Sequence, residues 1–201
     1  MLLYIPGVFF TVERRGTLGP GPYVFCPNHT SYLDIMISYL VFPDYFHYMG
    51  KVELSHWFMF NIFFKGMNIP VNRESLRGSY SAYQRAVDDL GKGISIAIYP
   101  EALIPEDTPN LGRFKNGAFK LAIEKQTPIV PIVFLNGWKL LPANENRMKG
   151  GGPGTVKVIV HEAVETKGLT MDDVSELREK VYNIINDTLK EEVEGYPFES
   201  A

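Results

Sequence analysis

Short apolar runs and helix-length segments alternate along nearly the whole chain. Tyr23-Val-Phe-Cys26, closed by Pro22 and Pro27, predicts a strand, and Ser31 to Val41 has helical length and stops before Pro43. Phe46 to Met49 reads as a second strand, Leu54 to Phe64 as an aromatic helix and Met67 to Val71 as a short strand. Glu74 to Leu90 predicts a helix stopped by Gly91 and Gly93. Ile94-Ser-Ile-Ala-Ile-Tyr99 carries the strongest strand pattern in the chain. After it come a helix over Ala118 to Glu124, strands over Ile129 to Phe134 and Thr155 to Val160, and a long terminal helix from Met171 to Val193. The apolar stretch Leu2 to Val12 leads into a first strand, and Lys149-Gly-Gly-Gly-Pro-Gly154 is a loop inside the domain.

This alternation predicts an α/β fold: a single domain over residues 1–201, a mixed, largely parallel sheet flanked by helices, and a C-terminal helix over residues 170–193. In open sheets of this class, ligands bind where strands end and turn into helices. Two such turns stand out. Pro27-Asn-His-Thr-Ser-Tyr-Leu-Asp34 follows the Tyr23 strand, and Tyr99-Pro-Glu101 follows the Ile94 strand.

Composition narrows the function classes. The 201 residues are 45% hydrophobic and 21% charged, which suits a globular domain and excludes a long disordered or fibrous chain. A net charge of −3 argues against a broad nucleic-acid footprint. Residues 171–201 hold nine acids and three bases, so the rest of the chain carries +3, enough to meet phosphate or anionic lipid locally. No stretch of about 20 apolar residues encodes a spanning helix, and Leu2 to Val12 lacks the basic flank and cleavage site of a signal peptide. A lone cysteine, Cys26, cannot form an internal disulfide and suits a reducing compartment. His47, His56 and His161 lack metal-ligand spacing, so no metal is expected.

His29 and Asp34 are the candidate chemistry. Five positions apart, they would be separated by about 140° on a continuous helix, so they meet only if His29 lies in the turn before the helix and Thr30 or Ser31 caps it. A carboxylate bonded to one ring nitrogen would then leave the other free to accept a proton. A competing reading gives Asp34 a purely local task, because Ser31-Tyr-Leu-Asp34 also matches a capping box.

Asn28-His29-Thr-Ser-Tyr-Leu-Asp34 resembles the first signature block of the glycerolipid acyltransferases, the 1-acylglycerol-3-phosphate acyltransferase family. Further blocks follow in the family's order. Lys51-Val-Glu-Leu54 resembles its Lys-x-Glu-Leu segment, and Gly66-Met-Asn-Ile-Pro-Val-Asn-Arg73 its second block, with one extra residue and Asn72 in place of an aspartate. Tyr99-Pro-Glu101 resembles the start of the third block, Phe114-Lys115-Asn-Gly117 the Phe-Lys-x-Gly stretch after it, and Ile129-Val-Pro131-Ile the fourth. The third block departs from the pattern, with Ala102-Leu103-Ile104 where the family has Gly-Thr-Arg. Together the blocks span roughly residues 8–160.

The resemblance implies a glycerolipid acyltransferase-like fold and an O-acyltransferase. His29 would act as the base, oriented by Asp34, on a lysophospholipid hydroxyl that attacks an acyl thioester; lysophosphatidic acid would become phosphatidic acid, a step of phospholipid biosynthesis. Arg73, Glu101 and Lys115 would bind the acceptor, with Arg113 or Lys115 standing in for the missing arginine. That departure also admits an amino-acid lysolipid of ornithine- or glycine-lipid type as acceptor. A catalytically idle lipid-binding protein and a thioester hydrolase are the rival classes, although Ser31 lacks the Gly-x-Ser-x-Gly setting of a hydrolase nucleophile. No permanently bound cofactor is implied; acyl-CoA or acyl-acyl-carrier protein would be the donor substrate. Residues 110–125 carry a net charge of +3 and could meet acyl carrier protein, coenzyme A phosphates or anionic lipid. The aromatic segment Leu54 to Phe64 reads either as core or as a contact with the bilayer interface. The expected location is the cytoplasmic face of the inner membrane of a bacterial cell, with peripheral binding or anchoring by a segment outside this chain.

Overall fold

The apolar runs become strands that are covered on both faces. In the computed structural model, which describes residues 7–51, 68–72, 75–143 and 151–197, seven strands form one sheet. They are β1 (Val8–Arg15), β2 (Val24–Pro27), β3 (Phe46–Lys51), β4 (Asn68–Val71), β5 (Ser95–Ala97), β6 (Ile129–Phe134) and β7 (Gly154–His161). Side by side the order is β1-β7-β6-β2-β5-β3-β4. Every neighbouring pair runs parallel except β6 and β7. The described helices are α1 (Tyr32–Val41), α2 (Leu76–Gly91), α3 (Gly117–Lys125), the single turn α4 (Gly137–Leu140) and α5 (Val174–Glu192). The sheet is therefore mixed and largely parallel with flanking helices, as the alternation predicts.

Side chains that alternate along each strand feed two separate cores. Val24 and Cys26 of β2 join Ile96, Ile129 and Val133 beneath α2, α3 and α5, whereas Phe25 joins Ala97, Val130 and Phe134 beneath α1. Because strands β2, β5 and β6 are buried on both faces, they read as unbroken apolar runs rather than as polar–apolar alternation. Helix α5 buries Val174, Leu177, Val181, Ile185 and Leu189 at three- and four-residue spacing, each worth about 1.5–3 kcal/mol of apolar burial.

Several boundaries differ from the sequence pattern for local reasons. The Ile94–Tyr99 run yields only Ser95–Ala97 as strand. Its first amide, Ile94, is held by the carbonyl of Asp89 at the end of α2, and its last residue, Tyr99, already belongs to a turn closed by the Ala102 amide. The terminal helix begins as a 3-10 turn, Met171–Asp173, under a Thr170 cap and becomes α-helical at Val174. Helix α4 has no counterpart in the sequence reading, and the expected aromatic helix Leu54 to Phe64 lies outside the described residues.

The connections set up the site. From β2 the chain crosses one face through α1 and returns as β3, on the far side of β5. Leaving β5, it crosses the other face through α3 and returns as β6, on the far side of β2. The carboxyl ends of β2 and β5 are neighbours whose chains depart in opposite directions, and such a divergence opens a crevice.

Asn28 ties the rim of that crevice. Its amide nitrogen donates to the Phe134 carbonyl at 3.1 Å, while its side-chain oxygen accepts from the Phe134 amide at 2.7 Å. One side chain thus continues the β2–β6 pairing beyond Pro27. Asn28→Ala should strand both backbone groups of buried Phe134 and lower unfolding free energy by about 2–4 kcal/mol. Urea denaturation of the two proteins checks this, and a difference below about 1 kcal/mol contradicts it.

Candidate active site

His29 lies in the turn between β2 and α1, not on the helix. Its Nδ1 donates to Asp34 Oδ2 at 3.2 Å, which leaves Nε2 without a hydrogen bond among the described residues. His29 is 8% exposed and Asp34 is fully buried. The same oxygen, Asp34 Oδ2, accepts from the Thr30 amide at 2.5 Å and the Ser31 amide at 2.8 Å. Ser31 and Asp34 form a capping box, and the Ser31 hydroxyl also accepts the Leu33 amide at 3.1 Å. The two readings of Asp34 are both realised: the carboxylate caps the helix and orients the imidazole.

A cost follows for oxyanion binding. Backbone amides at the start of a helix can stabilise a negative oxygen, yet those of Thr30, Ser31 and Leu33 are occupied by Asp34 and Ser31, and that of Asp34 by the Ser31 carbonyl. The Ser31 hydroxyl is itself donated to the Leu141 carbonyl at 2.7 Å, so Ser31 is a cap and not a nucleophile. Cys26 is fully buried, and burial pushes its thiol far above the ordinary range, which keeps it unreactive.

The second turn meets the first. Glu101 Oε1 accepts the His29 amide at 2.7 Å and Oε2 accepts the Gly112 amide at 2.7 Å. The carboxylate therefore grips the backbone of the histidine turn and of the loop leading to α3. Tyr99 lies under His29, with ring centroids 4.2 Å apart. Ala102 adopts φ 68°, a left-handed conformation that suits glycine and costs an alanine about 1–2 kcal/mol. The turn thus follows the backbone path of a Glu-Gly pair even though the glycine is replaced.

Close approach also requires two glycines that the sequence reading did not single out. A Cβ on Gly137, at the start of α4, would lie 2.8 Å from Asp34 Oδ1, and one on Gly112 would lie 2.9 Å from Glu101 Oε2. Gly137 follows Asn136 in a turn-like pair, but only the fold shows what approaches it.

The structure brings together His29, Asp34 and Glu101, but not the whole expected set. Arg113 is exposed and, with Arg178, Glu179 and Tyr182 of α5, lines a shallow cavity of about 380 Å³. Lys115 is also exposed, its amide bonded to the Pro100 carbonyl at 2.8 Å, and Arg73 lies outside the described residues. A second buried pair, His47 Nδ1 to Asp89 Oδ2 at 2.8 Å, differs from the first because Tyr45 engages the other ring nitrogen at 3.2 Å. Both of its ring nitrogens have partners.

Glu101 makes stability depend on pH. Burial raises its carboxyl from an ordinary 4.5 to about 8; the His29 and Gly112 amides oppose the rise, and the Asp34 charge adds to it. Between about pH 4.5 and 8 the folded state holds a proton that the unfolded chain has lost, so the Glu101 contribution to stability falls as pH rises through that window. Glu101→Gln removes this slope. Urea denaturation of both proteins across that window should show the wild type losing stability relative to the variant; a constant difference contradicts the assignment.

Known proteins resemble this chain in sequence and in fold. The acyltransferase family model matches residues 10–135. A 1-acyl-sn-glycerol-3-phosphate acyltransferase of Saccharomyces cerevisiae is 30% identical over 203 residues, covering 92% of this chain and 61% of its own length. The human beta form of that enzyme is 31% identical over 198 residues, covering 92% of this chain and 66% of its own. The crystal structure of the 1-acyl-sn-glycerophosphate acyltransferase PlsC from Thermotoga maritima superposes with a TM-score of 0.73 at 22% identity, over 90% of this chain and 71% of that one. This chain spans about three fifths of the length of the first curated relatives it matches. A family match over most of the sheet, relatives at 30% identity and a shared fold have one reading: the chain belongs to the acyltransferase family.

Proposed function

We propose that the protein transfers a fatty acyl group from a thioester donor to a lysophospholipid hydroxyl, converting lysophosphatidic acid to phosphatidic acid. The observation that carries this reading is a buried imidazole whose Nδ1 is held by Asp34 while Nε2, at the divergence of β2 and β5, has no hydrogen bond among the described residues. Nε2 takes the proton of the acceptor hydroxyl as its oxygen bonds to the thioester carbonyl carbon. The tetrahedral adduct then breaks its C–S bond, and the departing thiolate receives the proton from Nε2. Asp34 stabilises the imidazolium during the exchange. No covalent enzyme intermediate is required, in keeping with the capped hydroxyl of Ser31 and the buried thiol of Cys26.

Acyl-CoA or acyl-acyl-carrier protein serves as donor, without a permanently bound cofactor. Arg73, Arg113 and Lys115 supply positive charge for the acceptor phosphate, and Glu101 acts on the site through the His29 backbone. The protein works at the cytoplasmic face of the cell membrane, bound peripherally or anchored by a segment outside this chain. Among the described residues no helix is long and apolar enough to cross a membrane, and Leu76 and Tyr80, one turn apart on α2, are exposed.

Acyl transfer by the purified protein, measured with lysophosphatidic acid, with amino-acid lysolipids and without acceptor, tests the reading. Phosphatidic acid should form, and His29→Ala should lower turnover by about 10²–10⁴ without unfolding the protein. Turnover in that variant within threefold of wild type removes His29 from the mechanism. Product from another acceptor alone would reassign the substrate, and thioester loss without acceptor would indicate a hydrolase.

A further inference from the structure

One hydrogen bond does not fix a ring. The Nδ1 to Asp34 contact of 3.2 Å is longer than the 2.7–2.9 Å usual for charge-assisted bonds, and a single contact at one edge leaves the tilt of the imidazole plane to be set by its other neighbours. A base that must meet a hydroxyl at hydrogen-bond distance needs a second restraint.

Tyr99 supplies a surface for it. Its ring centroid is 4.2 Å from that of His29 with the planes 35° apart, a close tilted ring contact. Tyr99 is itself held by two contacts and by burial. Its hydroxyl meets Ser38 Oγ at 3.1 Å, its ring abuts Tyr48 at 5.7 Å with the planes 75° apart, and only 5% of the residue is exposed. Ser38 in turn donates to the Asp34 main-chain carbonyl at 2.6 Å. With the Ser38 proton so used, the tyrosine hydroxyl is the donor in its own contact. The contacts form a closed loop: His29 to Asp34, Asp34 to Ser38, Ser38 to Tyr99, and Tyr99 back to His29.

We infer that Tyr99 is a positioning residue for the proposed base, fixing the plane of the His29 imidazole from beneath while Asp34 fixes its Nδ1 edge. Tyr99-Pro-Glu101 then acts on His29 twice, through the ring face and, by way of Glu101, through the backbone amide. The phenol face also attracts the positive charge that the imidazole gains when it takes a proton. The role of Tyr99 in turnover rests on the proposed acyl transfer; the ring placement does not.

Tyr99→Leu, Tyr99→Phe and Ser38→Ala in the full chain test it with two readouts: acyl-transfer kinetics and the NMR resonances of the His29 ring protons. Tyr99→Leu removes the aromatic face and should lower kcat roughly ten- to a hundredfold with acceptor KM within twofold, while the ring-proton resonances shift as the neighbouring ring current is lost. Tyr99→Phe keeps the face and should restore most of kcat. Unmoved resonances in folded Tyr99→Leu, or kcat within twofold of wild type, overturn the inference. If Tyr99→Leu does not fold, Ser38→Ala decides: a severalfold fall in kcat at constant KM supports the loop of contacts, and wild-type kinetics with wild-type resonances contradict it. If wild-type protein transfers no acyl group to any acceptor, the activity reading fails on its own, and the His29 resonances still decide whether Tyr99 holds the ring.

Discussion

The site depends on one buried oxygen. Asp34 Oδ2 accepts from the amides of Thr30 and Ser31 and from the imidazole of His29, three donors converging where a helix begins. A fully buried carboxylate is costly to hold as an anion unless such donors replace water, and the positive end of α1 adds to their effect. Satisfying the carboxylate and orienting the histidine are thus one requirement. A turn that failed to present the Thr30 and Ser31 amides would leave Asp34 unsatisfied and His29 undirected.

The sheet explains why the second turn can help. Because the chain leaves β2 and β5 toward opposite faces, the loops at their carboxyl ends stay adjacent without a helix between them. Glu101 spans that gap to the His29 amide, and Tyr99 reaches the ring from the same tripeptide. Gly112 and Gly137 allow the approach because a side chain at either would meet a carboxylate oxygen. Conformational cost is accepted in the same turn, where Ala102 holds a left-handed backbone.

Much of this was legible in the sequence, where local chemistry decides. Strands β2 and β6 are read nearly to the residue, since proline bounds the first and an unbroken apolar run defines the second. His29 and Asp34 were found through spacing and cap chemistry, although the sequence posed as alternatives two roles that a single oxygen performs together. Long-range partners were not legible. Nothing near Asn28 indicates Phe134, 106 positions away, and nothing near Gly137 announces Asp34. Tyr99 looks like the last residue of a strand until the turn places it beneath an imidazole from the other loop. The basic residues near 113 gave charge without direction, because exposed side chains have no packing pattern to orient them.

The measurement that most directly tests the shared role of Asp34 is Asp34→Asn, with stability and turnover per folded molecule recorded on the same preparation. An asparagine keeps the shape but loses the charge and can present an amide nitrogen to the donors that Oδ2 accepts. The account predicts that both quantities fall, with turnover lower by at least about tenfold after correction for the folded fraction. A loss of stability with unchanged turnover per folded molecule would make Asp34 a helix cap alone and contradict the account.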